Sequence, residues 1–185
     1  MAIYKNITSA GTVVLRNKSN YSTNTSLNRR GISVTKINKI SVANIGTVDA
    51  TVYLHLKAVE VTRTVNQANN TTDKIIFDED IIVSEADQIK VGDSVIDSDS
   101  TVHGTVTSIN PSAKSIVISA SVAITDNEIL TFRDAQDRLS IVKTVIPSNT
   151  TLVLDDSFSF NIYRYSLQAN TTVSSGTPNL TIIIE

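Results

Sequence analysis

The stretch "ATVYLHLKA", Ala50 to Ala58, carries the reading on which the fold turns. Val52, Leu54 and Leu56 fall on one side of an extended chain, and Tyr53, His55 and Lys57 on the other. Successive side chains of an extended backbone point to opposite faces, so a period of two marks a half-buried β-strand. His55 belongs to the polar face in this reading, which places it at a surface or an interface.

The same logic extends in both directions. "TVVLRN" (Thr12 to Asn17) reads as a first strand, and "ISVTKINKISVANIG" follows a turn at Gly31. Beyond the middle of the chain, "LSIVKTVIP" runs up to Pro147, "TTLVLDD" follows, and "NLTIIIE" ends the chain. In "SFSFNIYRYSLQAN", Phe158, Phe160 and Ile162 are in phase, then the alternation shifts to Tyr163, Tyr165 and Leu167. That shift predicts a bend or bulge near Asn161 to Tyr163. A hydrophobic last strand has to pair, or it becomes an aggregation edge. Helical composition occurs only around Asp134 to Arg138, over too short a run. The chain is therefore read as all-β, consistent with its abundance of Thr, Ile and Val.

In "IPSNTTLVLDD" (Ile146 to Asp156) Pro147 ends a strand, because it fixes its own φ and lacks an N–H. Ser148, Asn149 and Thr150 make the turn. Leu152 and Leu154 are expected in the core, and Asp155 and Asp156 at the strand's solvated end.

Charge divides the chain. Charged residues make up 18% of it, below the average of about 25%, yet they are unevenly spread. From Asp73 to Asp134 there are twelve acids and four bases, a net charge of −8; the remainder carries six acids and twelve bases, +6. The contrast predicts two folding units. The polar run "NQANNTTD" (Asn66 to Asp73) starts the acidic one and "RDAQDR" (Arg133 to Arg138) ends it. Within it, "KIIF", "DIIVS", "IKVGDSVID", a hairpin around "NPSAK" and "EILTF" read as short strands, which suits a small barrel. The expected architecture is a β-sandwich, jelly-roll-like host domain of residues 1–67 and 136–185. A small acidic β-barrel-like domain of residues 68–135 is inserted into it. A loop tolerates such an insertion because closure entropy grows slowly with length.

Chemistry is sparse. No Cys is present, so disulfides, thiolate metal sites and Cys nucleophiles are excluded. Neither His55 nor His103 stands in a Ser/His/Asp order with elbow-like glycines. No Walker A, G-x-G-x-x-G or H-E-x-x-H motif occurs. Asp78, Glu79 and Asp80, and Asp97 with Asp99, resemble fragments of a calcium loop, but the following Asp/Asn-Gly and the distal Glu are missing. They read as a solvated acidic face. Glycoside hydrolysis would need sugar-stacking aromatics beside paired carboxylates, and the acidic block offers only Phe77 and Phe132, with no Trp in the chain. A net charge of −2, with an aromatic-poor acidic block, excludes a nucleic-acid face. No apolar run reaches the roughly 18 residues of a membrane helix, and the start of the chain lacks the pattern of a secretory signal. The expectation is no enzyme, no catalytic, cofactor-binding or metal-binding residue, no cofactor, and no nucleic-acid, membrane or small-molecule partner.

Three stretches resemble the small virion structural proteins of tailed bacteriophages, in particular of T4-like phages of marine cyanobacteria. They are "MAIYKNITSAGTVVLRN", "VTKINKISVANIGTVDATVYLHL" with its "ANxG/S" turn, and "KTVIPSNTTLVLDDSFSFNIYRYSLQANTT" with the terminal "LTIIIE". The acidic "IKVGDSVID…GTVTSI…IVISASVAITDNEILTF" is similar to a β-rich module inserted in the same class of proteins. The resemblance implies a structural component of the particle, either an accessory of the tail or baseplate or a capsid decoration. It implies residence in a virion assembled in the host cytoplasm. The partners it implies are other virion proteins and copies of the chain itself, in a homo-oligomer, ring or lattice. It brings no catalytic residues. The alternative is a carbohydrate- or cell-surface-binding β-sandwich, for which Tyr163 and Tyr165 are the clustered aromatic candidates.

Overall fold

The computed structural model describes residues 2–17, 34–81 and 89–185. The turn expected at Gly31 lies outside these residues, as does most of the strand expected in "DIIVS". Among the described residues the chain is built from β-strands, with one short 3-10 turn and no α-helix. It forms two compact units, Met1–Lys57 with Arg138–Glu185, and Ala58–Asp137.

In the first unit the two chain segments run against each other as one long antiparallel ribbon. β1 (Ile3–Ile7) pairs with β16 (Leu180–Ile184), and β2 (Gly11–Arg16) with β15 (Tyr165–Val173). β3 (Val34–Ile37) pairs with β14 (Phe158–Asn161), β4 (Ile40–Asn44) with β13 (Thr150–Leu154), and β5 (Ala50–Ala58) with β12 (Arg138–Ile146). Rolling the ribbon brings β16 beside β4 and β5 beside β15. The result is two four-stranded sheets, β1-β16-β4-β13 and β12-β5-β15-β2. Numbered over the eight strands of these two sheets, with the separate β3–β14 pair left out, the orders are 1-8-3-6 and 5-4-7-2, the strand order of a jelly roll. The final strand, β16, is thus interior to its sheet, and its backbone is paired on both sides.

Alternation seals the sandwich. Val52, Leu54 and Leu56 of β5 are buried, as are Ile40 and Val42 of β4 and Leu180, Ile182 and Ile184 of β16. They share one aliphatic core with Leu15, Leu167 and Phe160. The "ANIG" turn fastens three elements at once. Asn44 is buried, its Nδ2 donates to the carbonyls of Val48 (2.8 Å) and Ile146 (2.9 Å), and its Oδ1 accepts from the Gly46 N–H (3.0 Å). Ile45 N–H donates to the Asn179 carbonyl just ahead of β16. The phase shift in "SFSFNIYRY" is a turn. Asn161 Oδ1 accepts from Tyr163 N–H (2.9 Å) and the Asn161 carbonyl accepts from Arg164 N–H (3.0 Å), which separates β14 from β15.

The second unit contains β6 (Val61–Thr64), β7 (Asn70–Ile76), β8 (Ser94–Ile96), β9 (Val102–Asn110), β10 (Ser115–Ile124) and β11 (Ile129–Arg133). Their sheet order is β6-β11-β8-β9-β10-β7. The two ends of that sheet meet through a bridge between Val65 and Phe77, with Asn66 N–H on the Ile76 carbonyl (2.8 Å) and Asp78 N–H on the Thr64 carbonyl (3.0 Å). Closure of this kind removes exposed edges and makes a small barrel. Phe77 and Phe132 meet edge to face inside it, ring centres 5.7 Å apart, among Val65, Ile75, Ile116 and Leu130. The "NPSAK" hairpin forms around the 3-10 turn Pro111–Ala113. There Asn110 Oδ1 accepts from Ala113 N–H and Lys114 takes a left-handed conformation.

The sequence reading began the inserted domain at residue 68; the structure begins it at Ala58. β6 pairs with β11 from Ile129↔Thr64 to Phe132↔Val61, so residues before the polar run are barrel wall. The polar run holds the β6–β7 connection (residues 66–69) and the first residues of β7, so composition marked a turn and strand inside the barrel in place of the boundary. By unit the charge contrast sharpens. Ala58–Asp137 carries fourteen acids and five bases, −9, and the remainder four acids and eleven bases, +7.

Candidate functional site

A groove opens at the mouth of the sandwich. Among the described residues, β12 and β13 are each the outer strand of their own sheet, joined by the turn at Pro147. In that turn Asn149 has a φ of 57°, and Thr150 Oγ1 donates to the Pro147 carbonyl (2.7 Å). Ser148 N–H donates to Asp49 Oδ1 (3.1 Å). A groove of about 650 Å³ opens between the two edges, lined by Leu56, Leu139, Val142, Leu154 and Phe158, with Asp155 and Asp156 at its rim. Leu152 and Leu154 are half-buried and pack against the core, and Asp155 and Asp156 are exposed. An outer strand has one row of backbone N–H and C=O groups without a sheet partner, the template on which another chain can add. Val145 on β12 and Val153 on β13 are both exposed beside that template.

The acidic clusters of the barrel act mainly as fasteners of turns. Glu79 accepts from Thr64 N–H and Thr64 Oγ1, both at 2.9 Å, and ties the β6 end to the segment after β7. Partial burial raises the Glu79 pKa, but the Thr64 hydrogen bonds outweigh it and hold the carboxyl below its ordinary value. Lys114 Nζ reaches Asp80 (3.0 Å) and the Asp78 carbonyl (2.9 Å). Asp97 Oδ1 accepts from Asp99 N–H (2.9 Å) and Thr101 N–H (2.8 Å), an Asx-type turn closing the β8–β9 hairpin. Asp99 itself points to solvent. Asp93, which the sequence reading did not single out, is buried, and its Oδ2 accepts from Lys90 N–H (2.8 Å) where Gly92 turns with a φ of 93°.

The histidines differ. His55 was expected on a polar face, at a surface or an interface; it is 1% exposed within this chain. The strand phase is as expected, since Leu54 and Leu56 face the core, but the opposite face is covered at His55 as well. The imidazole stacks on Tyr53 (4.5 Å between centres), with Nδ1 3.4 Å from the Tyr53 carbonyl. Burial pushes its pKa below 6.5; the Tyr53 carbonyl opposes this, and the Arg138 and Lys57 charges reinforce it. A period of two tells which face a residue takes and is silent on what covers that face. His103 stands in the barrel, 3.1 Å from Asp97 Oδ2. Tyr163 and Tyr165 are half-buried against the sandwich core, and Phe77 and Phe132 are buried inside the barrel.

No protein-family model matches the chain, and no curated protein sequence matches it. Among solved structures, the chain is similar to the VP16–VP17 complex of the two major capsid proteins of bacteriophage P23-77. The identity is 10%, the TM-score 0.26, and the match covers 100% of this chain and 98% of that one. VP17, a capsid protein of the same phage, is 10% identical with a TM-score of 0.19, covering 100% of this chain and 95% of that one. At this level of superposition and identity, the likeness carries no argument about what this chain does.

Proposed function

We propose that this chain is a non-enzymatic structural subunit of a tailed-phage virion, an accessory of the tail or baseplate or a capsid decoration, working through repeated protein–protein contacts. Jelly rolls serve both capsid and lectin roles, so the fold leaves that choice to the surface. The observation that carries the proposal is the β12/β13 mouth: two outer strands, an apolar-walled groove between them, and exposed Val145 and Val153 alongside. That surface suits an added strand of another copy or of a virion neighbour. The half-buried Tyr163 and Tyr165 weigh against the carbohydrate-binding alternative. The resemblance of both host segments to small virion proteins supports the same reading. The opposite charges of barrel and sandwich suit contacts between copies, and such contacts weaken as salt shortens the screening length from about 10 Å at 0.1 M to about 3 Å at 1 M.

Mass spectrometry of heads and tails separated from the encoding phage tests the reading directly. The chain is expected in one of the two fractions, and its absence from both overturns the proposal. Val153→Lys on the purified chain should leave the circular dichroism of the fold intact and abolish self-association in sedimentation. Unchanged association would remove the mouth from the interface.

A further inference from the structure

We propose that Asp97, His103 and Glu128 form a binding site for a divalent metal ion of borderline softness, of the zinc class. The three come from separate elements that the barrel brings to one end. Asp97 directly follows β8, His103 lies near the start of β9, and Glu128 directly precedes β11. One ligand atom of each lies within 4.8 Å of the others, and all three side chains are partly buried.

The backbone is shaped to aim these groups. β8 and β9 pair as Val95↔Gly104 and then Ile96↔Val102, so His103 is the extra residue of a β-bulge. A bulge bends its strand and redirects a side chain, and bulges concentrate beside functional sites. Gly104 completes it with a φ of 125°, and a Cβ there would stand 2.5 Å from Ser119 Oγ, which accepts from Thr105 N–H. Each carboxylate is held by one oxygen. Asp97 Oδ1 serves the turn, and Glu128 Oε2 accepts from Thr125 N–H at 3.1 Å. The second oxygen of each retains its lone pairs for a cation.

His103 Nε2 is closed off from solvent and makes no well-directed hydrogen bond, although Asp97 Oδ2 stands 3.1 Å away. Two donors at about 2.1 Å from a tetrahedral ion lie about 3.4 Å apart, so this spacing is close to that of two ligands of one metal. A protonated imidazole paired with Asp97 would account for that contact alone. It leaves unexplained the second carboxylate, Glu128, brought to the same point. One imidazole nitrogen with two carboxylates selects zinc-like ions over Ca²⁺, which asks for six to eight oxygens.

The test uses the full chain, stripped with a chelator and titrated with zinc chloride. In long-range ¹H–¹⁵N spectra, zinc is expected to shift His103 Nε2 and leave His55 unmoved, and to raise the melting temperature. Glu128→Gln, which preserves the Asp97–His103 contact, and His103→Gln should each weaken zinc binding by at least about 10-fold, the smallest loss that removal of even an outer-shell partner produces. An Asp155→Asn, Asp156→Asn variant should bind as the unaltered chain does. The proposal is overturned if His103 Nε2 does not respond in the unaltered chain, if Glu128→Gln binds zinc undiminished, or if Ca²⁺ binds as tightly as zinc. The spectrum of the unaltered chain decides the matter even where a variant fails to fold.

Discussion

The sandwich and the barrel solve the same problem, how to bury β-sheet faces, with different means and different surfaces. The sandwich fills its interior with aliphatic side chains from two sheets and leaves outer strands at its margins. The barrel closes its sheet through the Val65–Phe77 bridge and centres its core on the Phe77–Phe132 pair. The sandwich carries +7 and the barrel −9. Open edges belong to a unit that can add strands; a closed sheet with carboxylates on its turns belongs to one that can meet cations or basic surfaces. The two units of one chain thus divide their surface chemistry.

The largest effect that tests this comparison is on the cores. Phe132→Ala should cost about 3–5 kcal/mol and Leu54→Ala about 2–5 kcal/mol, because each leaves a cavity among fully buried neighbours. Hydrogen exchange should show the Phe132→Ala loss of protection within residues 58–137 and the Leu54→Ala loss within the sandwich strands. If either variant strips protection from both units equally, the division into two cores does not hold energetically.

Next in size is the bulge. Gly104→Val combines a positive φ with a clash at Ser119 and should cost about 1–3 kcal/mol in urea unfolding. A neutral result would mean that β9 can straighten there and that the bulge is not fixed.

The two histidines offer a smaller and more specific contrast. His55 has a folded pKa below 6.5, so the unfolded chain binds the proton more readily. Its contribution to stability is therefore complete above pH 6.5 and is lost as the pH falls from there toward the folded value. Replacing His55 with Gln should flatten the decline of stability between pH 7 and pH 5, as measured by melting temperature. An unaltered decline would assign the acid sensitivity to other groups.

Smallest is Glu79→Gln. Its carboxyl lies below its ordinary 4.5, so its contribution is present above that pH and fades as the pH falls through the folded value. The side chain is exposed, so the loss at neutral pH should stay below about 1 kcal/mol. A larger loss would make the Thr64–Glu79 tie a principal lock of the barrel.

Much of the architecture was legible in the residues. The alternation in "ATVYLHLKA", the proline turn in "IPSNTTLVLDD" and the phase shift in "SFSFNIYRY" each report on a local event, and each corresponds to an element. The acidic block marked the inserted unit because its charge differs from the rest, but it misplaced the first boundary, since β6 carries host-like composition. Asp97 was legible as part of an acidic fragment, and His103 only as a histidine outside any triad order. Glu128 was not singled out as a partner for them, because only the pairing of β11 with β8 brings its turn to theirs.

The sequence alone determined many of the strands, because a period of two follows from the geometry of an extended backbone whatever surrounds it; it missed Ile3–Ile7, which precedes the expected first strand, and Val61–Thr64, both too short and polar to show that period clearly. It also determined that charge separates two units. The tertiary structure decided the rest: the ribbon rolled into a jelly roll, the closure of the barrel at Val65 and Phe77, the burial of His55, and the meeting of Asp97, His103 and Glu128. Those outcomes depend on register between strands far apart in the chain, and hydrogen-bond register is a property of pairs that no single strand carries by itself.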